Sequence, residues 1–202
     1  MTETRRGGKA PRQAGHGTPP REVRIIGGRW KRSKLPVADR PGLRPTPDRV
    51  RETLFNWLGQ DLSEWRCVDV FAGTGALGFE AASRGAALVR MFEHDSTLVA
   101  QLEVARLRLG ADAVRIERGD GIHRLKTLPA GAMDLVFIDP PFDAELFETA
   151  LAAARPALAP GGYVYLEAPV AWDDAALAPF SLSVHRHLKA GAVHAHLLTA
   201  TA

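Results

Sequence analysis

Short apolar runs alternate with longer amphipathic stretches from Cys67 onward, and this alternation limits the choice of fold more than any other feature. The runs typical of strands are CVDVFA (67–72), LVRMFE (88–93), VRIERG (114–119), DLVFID (134–139) and YVYLEA (163–168). The stretches with helical spacing are 76–84, 96–109, 121–127 and 144–158. The pattern predicts an α/β fold built of right-handed βαβ units around a doubly wound, mainly parallel sheet. Residues 180–200 instead form two alternating runs around Lys189-Ala190-Gly191, which predict a closing antiparallel hairpin.

The segment before this region is strongly basic. Residues 1–51 hold 14 of the 26 Lys and Arg residues but 4 of the 23 Asp and Glu residues, so the rest of the chain is acidic. A basic arm on an acidic body is typical of a protein that binds a polyanion such as nucleic acid. We expect a disordered basic leader over 1–20, an N-terminal β-hairpin extension over 21–45, and the α/β domain over 46–202.

The basic arm carries local structure signals. EVRIIGGRWKRSKL (22–35) has Gly27-Gly28 between two runs, which predicts a β-hairpin with a primed two-residue turn. The next segment has Thr46 as a candidate N-cap and Pro47 at the first helical position, which predicts a helix over about 47–58. The cations expected to contact RNA phosphates are Arg24, Arg29, Lys31, Arg32, Lys34, Arg44, Arg49 and Arg51.

Composition excludes several classes of protein. With 46% hydrophobic and 24% charged residues the chain has the profile of a soluble globular protein, and no apolar run approaches the ~18 residues of a membrane span. The single cysteine, Cys67, excludes an internal disulfide and a cysteine zinc site, and we expect it in the core. His185, His187, His194 and His196 lack an accompanying carboxylate or cysteine, so we expect no metal site. A reducing cytoplasm fits these features.

Acidic residues stand at the carboxyl ends of the predicted strands, where open α/β sheets bind ligands. They are Asp69, Glu93, Asp120 and Asp139. Beside the first of them, Gly73, Gly75 and Gly78 match the G-x-G-x-x-G pattern, which several kinds of cofactor site share. An acidic rim repels the pyrophosphate of NAD and attracts the sulfonium and ammonium groups of S-adenosylmethionine. We therefore expect S-adenosylmethionine as the cofactor.

The run DLVFIDPPF (134–142) ends in an acid, two prolines and an aromatic residue. The prolines remove two backbone donors and hold the chain extended, so the carboxylate and the neighbouring carbonyls form a rigid row of acceptors. Such a row can hold the hydrogens of an exocyclic amine and direct its lone pair at a methyl donor, while the aromatic ring stacks on the base. An ordinary strand-Asp-Pro turn is the alternative reading. The predicted catalytic residues are Asp139, Pro140, Pro141 and Phe142.

DVFAGTG followed by DPPF resembles the amino-methyltransferase branch of the S-adenosylmethionine-dependent class I methyltransferases. From Arg21 onward the chain, with RIIGGRWKRSKLP, GLRPTPDRVRETLFNWL and KAGAV, is similar to the RsmD family of bacterial 16S ribosomal RNA guanine-N2 methyltransferases. The resemblance implies a Rossmann-like seven-stranded sheet with a reversed last strand. It also implies cofactor contacts to the methionine end from 44–46, to the ribose from Glu93 and to the adenine from Asp120, and base contacts from 139–142. The cofactor-binding residues expected are Arg44, Pro45, Thr46, Asp69, Phe71, Ala72, Gly73, Thr74, Gly75, Glu93, Asp120 and Gly121.

These features together predict a monomeric enzyme that methylates the N2 amine of a guanine in 16S ribosomal RNA or in an assembling small ribosomal subunit, without a membrane partner. Three alternatives stay open. An adenine or cytosine amino-methyltransferase acting on DNA or another RNA is compatible with DPPF, although no separate DNA-reading domain is visible. An NAD-dependent oxidoreductase is supported by the glycine spacing alone, and a noncatalytic RNA-binding assembly factor has no need of DPPF.

Overall fold

The computed structural model describes residues 22–38, 45–141 and 144–201. Its strands are β1 (Glu22–Arg24), β2 (Lys34–Pro36), β3 (Arg66–Asp69), β4 (Leu88–Glu93), β5 (Val114–Arg118), β6 (Met133–Ile138), β7 (Leu158–Ala168), β8 (Leu182–Ala190) and β9 (Val193–Ala200). Its helices are α1 (Asp48–Trp57), α2 (Ala76–Ser83), α3 (Ser96–Leu109), α4 (Gly121–Lys126), α5 (Ala144–Ala157) and α6 (Asp174–Leu177), followed by a 3-10 helix over Ala178–Phe180. The leader predicted over 1–20 lies outside the described residues.

Seven strands form one sheet in the order β5-β4-β3-β6-β7-β9-β8. Strands β3 to β7 run parallel to one another, and β9 runs antiparallel to both β7 and β8. The predicted α/β class, the mainly parallel seven-stranded sheet, the reversed last strand and the closing hairpin are confirmed. The strand order reverses between β3 and β6, so the switch point, where ligands bind in such sheets, lies beyond the carboxyl ends of these two strands.

Alternate residues of the central strands pack on opposite faces of the sheet. Cys67 and Leu135 are paired in register and belong to the apolar cluster that also contains residues of α1, α2 and α3. Val68 and Val136, the next pair, belong to the cluster formed with α4 and α5. Cys67 is fully buried, and burial raises the pKa of its thiol, which confirms the predicted core cysteine.

The N-terminal hairpin is present, but the prediction of its turn was wrong. Strand β1 pairs with β2 in the register Glu22↔Pro36, Val23↔Leu35 and Arg24↔Lys34. Residues 25–33 therefore form a long connection instead of a two-residue turn at Gly27-Gly28. Of the cations predicted to contact RNA, Lys34 lies on β2, whereas Arg29, Lys31 and Arg32 lie in this connection.

Tertiary contacts explain this long connection. The amides of Ile26 and Gly27 each donate to the Glu80 carboxylate at 2.7 Å. The amide of Arg29 donates to the Ser83 carbonyl at 2.7 Å, and a Cβ on Gly28 would lie 1.8 Å from that same oxygen. The connection is therefore fastened to the C-terminal half of α2, and such contacts outweigh the local preference for a tight turn.

The hairpin packs on the same core as the α/β body. Val23, Ile25 and Leu35 are buried in the cluster that also contains Val50 and Leu54 of α1. The boundaries predicted near residues 20 and 45 stay predictions.

Helix α1 covers Asp48–Trp57, close to the predicted 47–58. Its N-cap is Pro47, with no side-chain capping bond, so Thr46 is not the cap that the sequence predicted. The Thr46 hydroxyl instead donates to Asp139, because Thr46 is buried at the carboxyl edge of the sheet. Within the described part of the chain, no helix is long and apolar enough to cross a membrane.

Candidate active site

The glycine turn, residues 70–75, connects β3 to α2 at the switch point. Gly73 and Gly75 have φ angles of 53° and 78°, a backbone region that glycine adopts without strain. The amide of Gly73 donates to Glu93 Oε2 at 2.8 Å, which ties the turn to the end of β4. The turn also contains the other cofactor-binding residues predicted here, Phe71, Ala72 and Thr74.

Asp69 lies beneath the glycine turn and not on its rim. Its side chain is buried, and Oδ2 accepts from the amide of Gly78 at 3.2 Å. Burial and, to a lesser extent, the charge of Glu93 raise the pKa of the Asp69 carboxyl to about 7, against the opposing effect of the Gly78 amide. Oδ1 is buried and has no hydrogen-bond partner among the residues that the structure describes. The expectation of a rim carboxylate at Asp69 was therefore wrong, because its position in the strand places it one layer below the surface.

Two further predicted residues flank the turn. Besides Gly73, Glu93 accepts at Oε1 from the amide of Asp95 at 2.8 Å, so its carboxylate is held by backbone on both oxygens. Asp120 is exposed and caps α4 by accepting from the amide of His123 at 3.0 Å. At Gly121 a Cβ would lie 1.9 Å from the carbonyl oxygen of Val70, so glycine is needed for α4 to approach the turn.

Four polar side chains meet near the ends of β6 and β7. Asp139 follows the last residue of β6, and Glu167 is the penultimate residue of β7. The Thr46 hydroxyl donates to Asp139 Oδ2 at 3.4 Å and is also hydrogen-bonded to Glu167. The Tyr165 hydroxyl donates to Glu167 Oε1 at 2.8 Å. Thr46 therefore bridges two carboxyl groups.

The pKa of each of these two carboxyl groups, Asp139 and Glu167, is raised above its ordinary value. Burial is the main cause for Asp139, and the charges of Glu167 and Asp69 raise its pKa further. Burial also raises the pKa of Glu167, against hydrogen bonds from Thr46 and Tyr165 and the positive charge of Arg51. Glu167 is buried and Asp139 is half-buried. Two adjacent carboxylates repel each other, so the pair holds one proton more readily than either isolated acid.

Sequence reasoning missed Glu167. The signal was available, because YVYLEA places an acid at the end of a predicted strand, as at the other strand ends. In the structure, Asp69 interacts electrostatically with Glu93 and Asp139, and Asp139 with Glu167. Glu167 therefore belongs to the same acidic cluster as Asp69, Glu93 and Asp139.

The remaining predicted residues of the site surround Asp139. Pro140 is buried and Pro141 is exposed, while Pro45 is half-buried next to Thr46. Arg44 and Phe142 lie outside the described residues, so their predicted contacts stay predictions.

Arg51 does not lie on the basic surface where the sequence placed it. Its guanidinium is fully buried and donates to the carbonyls of Thr46 at 3.1 Å and Arg24 at 2.8 Å. It also forms ion pairs with Asp48 at 2.7 Å and Glu80 at 3.2 Å. With every guanidinium nitrogen engaged, Arg51 cannot contact a phosphate, and the prediction that it binds RNA was wrong. It instead connects the hairpin, Thr46 and α2.

Glu80 is the buried acid that holds these connections together. Besides Arg51 and the amides of Ile26 and Gly27, it accepts from Arg84 Nε at 3.0 Å. Its sequence signal is a charged residue inside the otherwise apolar and small segment ALGFEAAS. A fully buried acid persists only when paired and hydrogen-bonded, as Glu80 is.

The other predicted RNA-binding cations that the structure describes are exposed. Lys34 pairs with Glu22 across the hairpin at 2.7 Å. The exposed basic residues of the hairpin and of the first turn of α1 are Arg24, Arg29, Lys31, Arg32, Lys34 and Arg49. They leave a positive surface next to the segment that carries Thr46.

Three of the four C-terminal histidines stack on one face of the β8–β9 hairpin. The ring centroid of His187 lies 4.6 Å from that of His196 and 5.1 Å from that of His194. His196 is fully buried, accepts from the amide of Trp172 at 3.1 Å, and burial lowers its pKa to about 4. Within the described ranges, no group of three or more His, Cys, Asp or Glu residues could hold a metal ion.

Known proteins resemble this chain over nearly its whole length. The family described as "Conserved hypothetical protein 95" matches residues 23–199. Ribosomal RNA small subunit methyltransferase D of Escherichia coli strain K12 is 41% identical over 189 residues, which cover 92% of this chain and 91% of that protein. The chain belongs to the RsmD family.

Two further relatives agree with this assignment. The Haemophilus influenzae protein of the same name is 42% identical over 152 residues, which cover 72% of this chain and 78% of the relative. The solved structure of yhhF from Escherichia coli superimposes with a TM-score of 0.77 at 38% identity, covering 90% of this chain and 99% of that one. This RsmD-family chain therefore shares the fold of its solved relative.

Proposed function

We propose that this RsmD-family protein transfers a methyl group from S-adenosylmethionine to the exocyclic N2 amine of a guanine in 16S ribosomal RNA. The observation that carries the proposal is Asp139, followed by Pro140, at the switch point of the sheet and next to the glycine turn. Membership in the RsmD family supports ribosomal RNA as the substrate. We place the reaction in the cytoplasm, where small subunits assemble.

The acidic cluster fits a cationic cofactor. Burial raises the pKa of the Asp69, Asp139 and Glu167 carboxyls, and the charges of Glu167 and Asp69 raise the pKa of Asp139 further. A nearby positive charge therefore relieves an existing repulsion. When bound, S-adenosylmethionine supplies an electrophilic methyl group on a positively charged sulfur. The residues that would hold it are Pro45, Thr46, 71–75, Glu93, Asp120 and Gly121, together with Arg44 from outside the described segments. The pyrophosphate of NAD would increase the repulsion.

Asp139 performs the step that an exocyclic amine requires. The lone pair of such an amine is delocalised into the purine ring, so acceptors must hold its hydrogens and direct the lone pair at the methyl group. The Asp139 carboxylate and the Pro140 carbonyl are the acceptors. As the nitrogen–carbon bond forms, the nitrogen becomes acidic and its proton passes to Asp139. Phe142 stacks on the target base, which offsets part of the cost of unstacking it from its neighbours.

The exposed cations of the hairpin hold the RNA backbone near this site. Arg29, Lys31 and Arg32 lie on the connection that is fastened to α2, so they form a preordered surface that loses little conformational entropy on binding. The substrate is the RNA alone or the assembling small subunit, and the protein acts as a monomer.

One assay tests the function. The protein and labelled S-adenosylmethionine are incubated in three parallel reactions, with 16S ribosomal RNA, with small subunits lacking the modification, and with duplex DNA. Nucleoside analysis then identifies the labelled base. We expect N2-methylguanine from RNA or subunits, and calorimetry should show binding of S-adenosylmethionine but not NAD. Label in adenine, label in DNA alone, or tighter binding of NAD would overturn the proposal.

A variant separates binding from chemistry. Asp139→Asn keeps the shape of the side chain but cannot accept a proton, so the transfer rate should fall by about 10²–10⁴-fold while the affinity for S-adenosylmethionine stays within about threefold of wild type. Equal losses of affinity and rate would show that Asp139 is structural.

A further inference from the structure

The rings of His187 and His194 form one flat surface on the β8–β9 hairpin. His187 Nε2 and His194 Nδ1 are hydrogen-bonded at 2.9 Å, and the two ring planes differ by 9°. This N–N distance is too short for two rings stacked face to face, because non-bonded atoms in such contact lie about 3.5–4.0 Å apart. The two imidazoles therefore lie edge to edge, with their centroids 5.1 Å apart. We call this pair of adjoining rings the histidine platform.

One side of the histidine platform rests on His196. The centroid of His187 lies 4.6 Å from that of His196, and His196 is fully buried, where its Nε2 accepts from the amide of Trp172 at 3.1 Å. Within the described part of the chain, the ring contacts of His187 and His194 are with each other and with His196. His187 is exposed and His194 is half-buried, so the opposite side of the platform is open to solvent.

Strand register places the platform on the same edge of the sheet as the candidate active site. Ile138 precedes Asp139 and pairs with Leu166 of β7. Leu166 pairs with His196 of β9, which pairs with His187 of β8. Neighbouring strands lie about 4.8 Å apart, so three such steps put the backbone of His187 about 14 Å from that of Ile138. A polymer that reaches Asp139 can therefore also reach the platform.

The β8–β9 hairpin is free of acidic residues, although the α/β body as a whole is acidic. Residues 181–202 contain Arg186, Lys189 and four histidines but no Asp or Glu. Lys189 is exposed and pairs in register with His194. Residues 168–172, which follow β7 beside His194, are uncharged. An open aromatic surface with cations and without acids fits a polyanion that carries flat bases, which is single-stranded RNA.

We infer that the histidine platform stacks on a base of the RNA segment that flanks the target guanine. This inference rests on the proposed function and adds a second contact to the substrate. The β1–β2 hairpin packs on the cluster formed with α1 and α2. His196 instead shares its side of β9 with Leu198, which belongs to the cluster formed with α4 and α5. RNA that crosses the carboxyl edge of the sheet at Asp139 thus meets the basic connection on one side and the platform on the other. Contacts on both sides hold the neighbouring nucleotides while the guanine is turned out of its stack.

Variants at His187 distinguish stacking from charge. The measurement is the affinity for 16S ribosomal RNA at several salt concentrations and at pH 8, above the ordinary histidine pKa of about 6.5. His187→Gln removes the ring, so the affinity should fall by at least about fivefold while the slope of log K against log salt stays unchanged. His187→Phe keeps an aromatic face and should stay within about twofold of wild type. A flattened slope in His187→Gln, or equal losses in the two variants, would overturn the stacking role.

His185→Gln is the matched control on the same strand. His185 is exposed, but its ring lies 5.5 Å from that of Tyr163, which packs on the cluster formed with α1 and α2. Its substitution should leave the RNA affinity within about twofold of wild type. Equal losses in His185→Gln and His187→Gln would contradict a specific platform. Urea denaturation should give His187→Gln the midpoint of wild type, and a lowered midpoint would assign His187 a structural role instead.

A photocrosslinker locates the RNA without methyl transfer. Cys67 is the single cysteine and is buried, so a thiol-reactive benzophenone labels His187→Cys at position 187. On irradiation this variant should crosslink to the RNA segment beside the target guanine, whereas Arg115→Cys, labelled on the opposite edge strand β5, should not. Equal crosslinking from both positions, or none from position 187, overturns the inference. If position 187 crosslinks but wild type methylates no RNA, the proposed function fails and the RNA contact stands.

Discussion

Glu80 illustrates how one buried charge organises several segments of the chain. It accepts from the amides of Ile26 and Gly27 and pairs with the guanidinium groups of Arg51 and Arg84. The side chains of Glu80 and Arg51 are completely excluded from solvent. Loss of the carboxylate would leave two buried positive charges and two backbone donors without their acceptor.

We therefore expect Glu80→Ala to lower the free energy of unfolding by about 3–5 kcal/mol, measured by urea denaturation. Glu103→Ala is the matched control, because Glu103 forms a partly exposed ion pair with Arg106 at 2.7 Å on α3, and its loss should cost below about 1 kcal/mol. Comparable losses in the two variants would contradict the structural role of Glu80.

Single residues also show what a sequence can and cannot indicate. Asp139 and Glu93 were predicted at strand ends and lie there, because strand ends follow from periodicity alone. The depth of Asp69 and the pairing of Arg51 depend on which segments pack above them, and that information is absent from local patterns. Glu167 is different, since its strand-end position was readable and was overlooked.

The basic hairpin is the element whose chemistry can be tested separately from the catalytic centre. Arg29, Lys31 and Arg32 are exposed, so replacing all three with Ala should leave the core intact. If each neutralises one phosphate, the slope of log K for RNA against log salt should flatten by about 0.7–0.9 per residue. The affinity for S-adenosylmethionine should stay unchanged, because the substituted side chains lie outside the acidic cluster.

A second triple variant controls for net charge. Arg115, Lys126 and Arg155 lie at the start of β5 and at the ends of α4 and α5, toward the amino ends of the strands and away from the switch point. Their replacement by Ala should change the slope of log K for RNA against log salt by less than half of the change expected for the hairpin variant. If a chain starting at residue 21 loses most of the slope and the hairpin variant does not, the leader is the RNA-binding arm.

The elements of the α/β body and the presence of the N-terminal hairpin could be predicted, whereas the turn of that hairpin could not. Helix α3 covers 96–109 in the prediction and in the structure, because its apolar spacing is a local signal. The double glycine indicated a tight turn for the same local reason, but Glu80 and Ser83 hold the segment in a longer connection. The short helix α6 was not predicted, since four residues give too little periodicity to recognise.

Across the whole molecule, two buried groups give the stability opposite dependences on pH. The pKa of Asp69 is raised to about 7, so the folded protein holds an extra proton there, and this contribution is lost as pH rises toward 7. The pKa of His196 is lowered to about 4, so between pH 4 and 6.5 this residue binds fewer protons in the folded protein than in the unfolded chain. Its contribution to the free energy of unfolding is therefore lost as pH falls from 6.5 toward 4. The two effects offset each other between pH 4 and 6.5.

Variants should expose each dependence. Relative to wild type, the unfolding free energy of Asp69→Asn should increase as pH rises from 4.5 to 6.5, whereas that of His196→Gln should decrease. In the double variant the two trends should cancel. Urea denaturation at several pH values is the measurement, and trends of the same sign in both single variants would refute the assignment.

Strand β9 separates β7 from β8, although β8 comes first along the chain. During folding, β7 therefore presents an unpaired edge until the last strand of the sheet inserts. That edge includes Val164 and Leu166, whose later partners are Leu198 and His196. An open, apolar strand edge is a template for pairing with another copy of the chain. The slow, long-range step of strand insertion thus competes with intermolecular association, and folding yield should depend on protein concentration more than the stability of the finished fold does.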